Sequence, residues 1–338
     1  MPDVSAFYKL TLSRVVEKPI SDAVIADCVL SRVLRDKGCI NYGCGGDGFE
    51  GRARVRSSSG QGGASSDWGS VKAKTSNPFE KFSGNYRQWL WPLLISEFQK
   101  ERNEGARDRD RIAELVATQL DEIKQTAADW WAQRLYGIST TKLTGDDGTP
   151  ILGIGDLMHQ SNTYLGLARG TYAVWKAQYA TKAAADFLKD SNSTGRKDGV
   201  QAMEDLWLAC SKGQAVQGKV AADLATAKSE PDCIISSQAA FALYSQATAG
   251  QYRYTGESAD ATKKLGFEGR PIEWDSYAPA GFLFLNTKTL VVDAVKNALL
   301  RVLKELDSTD PLGTVYVIGG QGEFYSRNPR YNGQLLLT

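Results

Sequence analysis

Between residues 107 and 136, apolar side chains at Ile112, Leu115, Val116, Leu120, Ile123, Ala127, Trp130, Trp131 and Leu135 recur three and four positions apart, with no proline inside and Gly137 just beyond. That spacing lays them along one stripe of a helix, and about 30 residues at ~1.5 Å each give a length of about 45 Å. A shorter stripe, Val24, Ile25, Val29, Leu30, Val33 and Leu34, predicts a helix that starts at Ser21 or Asp22. A third, Val200, Met203, Leu206, Trp207 and Cys210, starts at Asp198 and stops at Gly213. Val291, Val292, Val295, Leu299, Val302, Leu303 and Leu306 fit one more helix, bounded by residues 307–311.

Elsewhere the period is two. Arg52, Arg54 and Arg56 alternate with Ala53 and Val55, and Lys72 and Lys74 alternate with Val71 and Ala73, so each run places its cations on one face of a strand. A glycine-serine stretch at 57–66 separates the runs, which together read as a long basic hairpin with a flexible tip. Composition alone also fits an unstructured linker, and the place of the segment ahead of the long helix favours the hairpin. Two β-rich runs, 265–275 and 282–287, are joined by small and proline residues. Cys233, Ile234 and Ile235 form a strand that passes into a helix holding Phe241, Leu243 and Tyr244, and a last β-rich run spans 314–318, 322–330 and 332–336. Strands and helices interleave without regular βαβ alternation, which predicts an α+β fold.

A chain of 338 residues exceeds the usual single-core size, so two domains, or one with long excursions, are expected. With 40 basic and 39 acidic residues the net charge is +1, which argues against a dedicated nucleic-acid binder held by counterion release. No apolar run approaches the ~20 residues of a membrane span, and the start of the chain lacks the layout of a secretory signal, so a cytosolic site of synthesis is expected. Five scattered cysteines, Cys28, Cys39, Cys44, Cys210 and Cys233, read as reduced thiols.

Candidate chemistry is sparse, and no catalytic, metal or cofactor site is expected. Residues 43–48 satisfy GxGxxG, but the following residues read as strand where a phosphate-binding loop needs a helix. Cys28, Cys39 and Cys44 lack the fourth ligand and the spacing of a zinc site. His159 is the chain's one histidine and has no nucleophile motif beside it. Glu273 and Asp275, two apart on a predicted strand, are the leading enzymatic alternative: a carbohydrate-active hydrolase with exposed Trp89 and Trp91 as a sugar platform. Nothing in the sequence fixes the distance between these carboxylates, and charges on the outward face of a strand explain them more simply.

The order Leu265-Gly266-Phe267, Gly269-Arg270-Pro271, Asp275, Pro279-Ala280 and Phe284-Leu285-Asn286-Thr287, followed by Arg327-Asn328 and Gly333-Gln334-Leu335, resembles the major capsid proteins of tailed bacteriophages, the HK97-like fold. Residues 171–177 look like that family's short aromatic strand, and 231–238 like its strand-to-helix passage. The resemblance covers roughly residues 80–338 and rests on the order of the motifs. It implies an N-terminal arm at 1–48 and an extended loop at 49–84. A peripheral domain would comprise 85–149 and about 286–330, with the spine helix at 107–136, and an axial domain about 150–285.

What the family does becomes the expected function: self-assembly as hexamers and pentamers into an icosahedral head shell around phage double-stranded DNA. Contacts between subunits would run through Arg52, Arg54, Arg56, Trp68, Lys72 and Lys74 of the extended loop. The expected partners are further copies of the chain, a separate scaffolding protein, a portal, and packaged DNA touched without specificity; no membrane is involved. Assembly is expected in the host cytoplasm and residence in the virion capsid. Lys72 and Lys74 are the candidates for the founding member's loop cross-link, but no asparagine and promoting glutamate align, so none is expected.

Overall fold

The structure is a computed structural model that describes residues 28–55, 79–96, 109–143, 146, 148–191, 195–212, 230–248, 266–295, 299–307 and 313–338. The chain divides into two compact units, Met1–Asp47 with Asn85–Ile154 and Val291–Tyr325, and Gly48–Gly84 with Gly155–Leu290 and Ser326–Thr338.

In the first unit, helices α1 (Val29–Asp36) and α2 (Arg109–Tyr136) accompany a five-stranded sheet. Strand β1 (Ile40–Cys44) pairs in parallel with β12 (Leu290–Val295). β12 joins the 14-residue β14 (Gly313–Ser326), on which β4 (Arg87–Ser96) and β13 (Arg301–Asp307) pair antiparallel. Helix α2 is the predicted long helix, 28 residues over Arg109–Tyr136. It buries Ala127, Ala128, Trp131, Ala132 and Leu135 in its C-terminal half, the face the spacing marked. Its end is pinned by charge: the Arg134 guanidinium pairs with Asp146 and donates to the Thr141 carbonyl at 2.5 Å, while the Trp130 indole donates to Asp146 at 3.0 Å. Helix α1 is the end of the predicted N-terminal helix, whose first residues, 21–27, lie outside the described ones. Its Ser31 hydroxyl accepts from the Trp131 indole of α2 at 3.0 Å, and both residues are buried.

The helix predicted over residues 290–306 is replaced by two strands, β12 and β13. Every residue from Leu290 to Ala294 is buried, as in a strand flanked on both sides and covered on both faces. In that setting apolar residues run on without alternation, so spacing cannot separate strand from helix, and β-branched Val291, Val292 and Val295 favour the strand.

The second unit is built on a six-stranded sheet in the order β7 (Gln178–Lys182), β15 (Gly333–Leu337), β11 (Gly281–Leu285), β8 (Cys233–Ser236), β10 (Arg270–Trp274), β9 (Gly266–Phe267). Helices α4 (Asp198–Lys212) and α5 (Gln238–Thr248) pack on it. Between them and the sheet Met203, Leu206, Trp207, Tyr244, Phe267, Phe282 and Phe284 form one aromatic-rich core, with the Trp207 ring edge-on to Phe267 and Phe284. The two β-rich runs of the sequence are thus β9 and β10, then β11, as read. Gly281 opens β11 at φ 117°, and a Cβ there would collide with the Leu335 carbonyl of the neighbouring strand, so no other residue fits.

The aromatic stretch at 171–177, expected as a strand, holds a 3₁₀ turn at Ala173–Trp175. The turn sends the Trp175 ring inward, where it is 1 % exposed and its indole donates to the Tyr164 carbonyl at 3.1 Å. A short helix α3 (Ile154–Met158) and the two-residue strands β5 (Thr163–Tyr164) and β6 (Leu167–Ala168) precede it.

Candidate assembly surface

The first part of the basic segment, β2 (Gly48–Arg54), forms a two-stranded sheet with β3 (Phe79–Asn85), a strand that the spacing does not predict. Along β2 the alternation holds: Arg52 is exposed and Arg54 half-buried, while Phe49, Ala53 and Val55 on the other face are buried. Glu50, also exposed, pairs with Lys81 of β3 at 2.6 Å. The outer face therefore carries both signs of charge at its base, with Arg52 and Arg54 further along. Arg56, Trp68, Lys72 and Lys74 lie outside the described residues, as does the strand expected at 71–74.

Two reciprocal contacts fix the inner face. The Phe82 ring occupies the space a Cβ on Gly51 would need, and the Phe49 ring lies 2.5 Å from where a Cβ on Gly84 would stand. Each strand lends the other a ring and accepts one over a glycine, which offsets the weak β-propensity of glycine. Burying each Phe contributes roughly 1.5–3 kcal/mol. The sequence carries this device as Phe49-Glu50-Gly51 and Phe82-Ser83-Gly84, a repeated Phe-x-Gly that marks the pairing once noticed.

The strands rest on the β5–β6 turn and the 3₁₀ turn behind it. Phe82 packs on Trp175 with ring centroids 5.4 Å apart, and the Ser83 N–H donates to the Leu165 carbonyl at 3.2 Å. Leu165 is held at φ 52°, a left-handed conformation that costs a non-glycine residue about 1–2 kcal/mol. The strain presents its side chain toward Gly84. Beneath this platform sits Arg169, fully buried, its guanidinium over the Tyr164 ring at 4.7 Å. It donates to the carbonyls of Asp156, Leu157, His159 and Trp175 and to the Asn162 side chain. Burial lowers its pKa to about 10, so it remains a cation at neutral pH, held by oxygen dipoles around the end of α3.

The residues weighed for chemistry fall at separate places in the fold. Asp275 lies beyond the end of β10 and is buried; its backbone N–H donates to the Ser236 carbonyl and its carboxylate accepts from the Tyr277 N–H, both at 3.0 Å. It caps a turn, and so departs from the outward strand position expected for it, while Glu273 is half-buried on β10. Trp89 is 4 % exposed, which corrects the reading of it as an exposed platform. Its ring packs on Trp131 at 5.3 Å and its indole donates to the Leu299 carbonyl at 3.1 Å, so Trp89 is core, while Trp91 is half-buried. Residues 43–48 connect β1 to β2 with no helix behind them. All five cysteines are free, and among the described residues no cluster of metal-ligating side chains occurs. His159 is exposed, its Nδ1 accepting from the Ser161 and Asn162 N–H groups at 3.3 Å. No described helix is long and apolar enough to cross a membrane.

One buried polar cluster was not marked by the sequence. Asp293, 4 % exposed on β12, accepts from Asn41 at 2.9 Å, Tyr86 at 3.3 Å and Tyr325 at 3.1 Å. Burial first, and then the carboxylate's charge, push the Tyr86 phenol and the Cys44 thiol up. Both remain protonated at neutral pH, which makes the cluster a fastening between strands and the thiol a poor nucleophile.

No family model matches the sequence, and no curated protein does. Solved structures do. The "Cyanophage A-1(L) capsid asymmetric unit" matches with a TM-score of 0.58 at 12 % identity, over 95 % of this chain and 93 % of the other. The capsid of the Myoviridae phage XM1 matches with 0.53 at 12 % identity, over 89 % and 90 %. The capsid of the native GTA particle matches with 0.51 at 14 % identity, over 90 % of both. The chain has the HK97-like capsid fold. In the chain, the paired strands β2 and β3 come just ahead of β4 and the long helix α2.

Proposed function

We propose that the chain is the major capsid protein of a tailed phage or prophage, whose copies form hexamers and pentamers that close into an icosahedral head shell around double-stranded DNA. The observation that carries this reading is the near full-length match to capsid subunits, 95 % of this chain and 93 % of the first of them. The role is structural, with no chemical step. The unit holding α2 acts as the peripheral domain and the unit holding the six-stranded sheet as the axial domain. Residues 1–48 form the arm and 49–84 the loop that reaches a neighbouring copy.

On this reading the loop supplies register. Arg52, Arg54, Arg56, Lys72 and Lys74 pair with acidic groups of the next subunit, and Trp68 adds buried area. Support comes from the exposure of Arg52 and from the placement of Arg52 and Arg54 on the face of β2 opposite buried Phe49 and Ala53. The same reading implies a separate scaffolding protein, a portal, passive contact with packaged DNA and assembly in the host cytoplasm. The test is the triple charge reversal Arg52→Glu, Arg54→Glu and Arg56→Glu. Unassembled subunits should keep their unfolding temperature while shells seen by electron microscopy become rare or misshapen; normal shells would remove the loop from the contact.

A further inference from the structure

Among the described residues, three arginines drawn into the fold face a carboxylate or a ring of carbonyls, and a fourth, Arg330, faces neither. Arg134 faces Asp146, Arg87 faces Glu323 at 3.2 Å, and Arg169 is ringed by carbonyls. Arg330, 8 % exposed, lies in the 3₁₀ turn Pro329–Tyr331, which packs beside α4 and the Ala173–Trp175 turn. Its guanidinium stacks on the Tyr331 ring at 4.8 Å, and one terminal nitrogen donates to the Tyr331 hydroxyl at 2.9 Å. Its Nε is buried with no acceptor, and no acidic side chain pairs with it among the described residues.

A planar cation taken this far out of water with one ring and one hydroxyl as its described partners is costly, and an oxyanion that completes the site recovers the remaining cost. The turn is built to hold the group in place: the Gln178 side chain donates to the Arg330 carbonyl at 3.3 Å, and the Asn332 N–H donates to the Pro329 carbonyl at 3.0 Å. The free Nε edge of a guanidinium, with the terminal nitrogen beside it, matches the two oxygens of a carboxylate.

We infer that Arg330 is an anion site completed on assembly by a carboxylate side chain of a second copy of this chain. A single Asp or Glu can reach a recessed guanidinium, whereas a nucleic-acid backbone with its hydrated phosphates cannot follow into a site this enclosed. The inference rests on the proposed self-assembly and names one of its contacts. It also makes Arg330 a sensor of assembly, a charge that no described acid of the free subunit matches and that a second copy matches in the shell.

The test uses full-length protein and the variants Arg330→Met and Arg330→Lys, with two readings on each: the unfolding temperature of the unassembled subunit, and the protein concentration at which light scattering and electron microscopy show assembly. Methionine keeps most of the packing and removes the unpaired charge, so the free subunit should unfold at or above the wild-type temperature, while assembly should need at least about tenfold more protein. Lysine, which keeps the charge but lacks the fork, should fall between. A map of the wild-type particle should place a carboxylate of a neighbouring copy at hydrogen-bond distance from Nε.

Variants that assemble at the wild-type concentration overturn the inference, as does a lower unfolding temperature of the Met subunit with assembly intact, which would mark a purely structural arginine. A map with a phosphate or no acid at Nε also overturns it. If wild-type protein forms no assembly at all, the shell reading itself has failed; if it assembles and the variants do so equally, only the Arg330 contact has.

Discussion

The backbone N–H of Asn286 donates to the side-chain oxygen of Asn332 across 2.8 Å, with both residues buried. That bond joins the Phe284-Leu285-Asn286-Thr287 motif to the turn that follows Arg327-Asn328, the two stretches whose order in the sequence carried the family resemblance. Asn332 also donates to Thr289 Oγ1 at 3.0 Å, and its own carbonyl accepts from the Gln178 N–H at 2.8 Å. Next to it, Asp232 takes the Thr287 N–H at 2.7 Å and the Thr287 hydroxyl at 2.5 Å. The motifs persist as a pair because each satisfies polar groups that the other buries.

Replacing Asn332 with Ala leaves the Asn286 N–H buried without an acceptor. The expected loss is about 2–4 kcal/mol, more than the average of a single hydrogen bond because an orphaned donor and a lost donor combine. Urea unfolding of the unassembled subunit measures it, and a midpoint equal to wild type would show that the contact carries no stability.

At the base of the loop, Gly51→Ala forces a methyl group into the Phe82 ring. The ring must leave Trp175 or the strands must part, at a cost of about 1–3 kcal/mol. Hydrogen exchange should show faster opening across β2 and β3, with the six-stranded sheet unchanged.

Glu323 is 2 % exposed and joins Arg87 to the Leu152 N–H, which it accepts at 2.6 Å. Changing it to Gln keeps an acceptor but removes the charge facing Arg87, and should cost about 2–4 kcal/mol. Adding Arg87→Met to that variant should restore a large part of the loss, a coupling that a double-mutant cycle in urea would read directly.

The loop ahead of α4 carries a pH dependence. Asp198 accepts from the Ser191 hydroxyl at 2.7 Å and the Ser191 N–H at 3.0 Å, and Lys182 stands 3.2 Å away. Chiefly the Ser191 hydrogen bonds hold its pKa down to about 2, against 3.8 ordinarily. A depressed carboxylate stabilises the fold above its unfolded pKa, and that contribution is lost as pH falls through the folded value. The loop should therefore stay closed at pH 5 and loosen between about pH 4 and 2. Carboxyl NMR of Asp198 checks this, and a midpoint at or above 3.8 would contradict it.

Much of the fold was legible where one physical signal dominated. Helix α2 has a long one-sided stripe ending at Gly137, and the alternation of Arg52, Arg54, Ala53 and Val55 survives as the outer and inner faces of β2. The misread stretches are those where burial erases periodicity. Leu290–Ala294 is covered on both faces and reads as helix, and Trp175 is drawn into a 3₁₀ turn by its buried indole. Of the candidate surface, charge placement could be read, while Arg169 and Arg330 could not. A lone arginine in sequence is an ordinary surface residue, and only the folded chain shows one ringed by carbonyls and the other with no acid paired to it among the described residues.

The most direct test of the account is electron microscopy of the full-length protein, expressed with its scaffolding protein where the source supplies one. Closed icosahedral shells with hexamers and pentamers, the long helix α2 repeated in every subunit, are the predicted result. A protein that stays monomeric across concentration and salt, or that builds only open, irregular aggregates, would contradict the account.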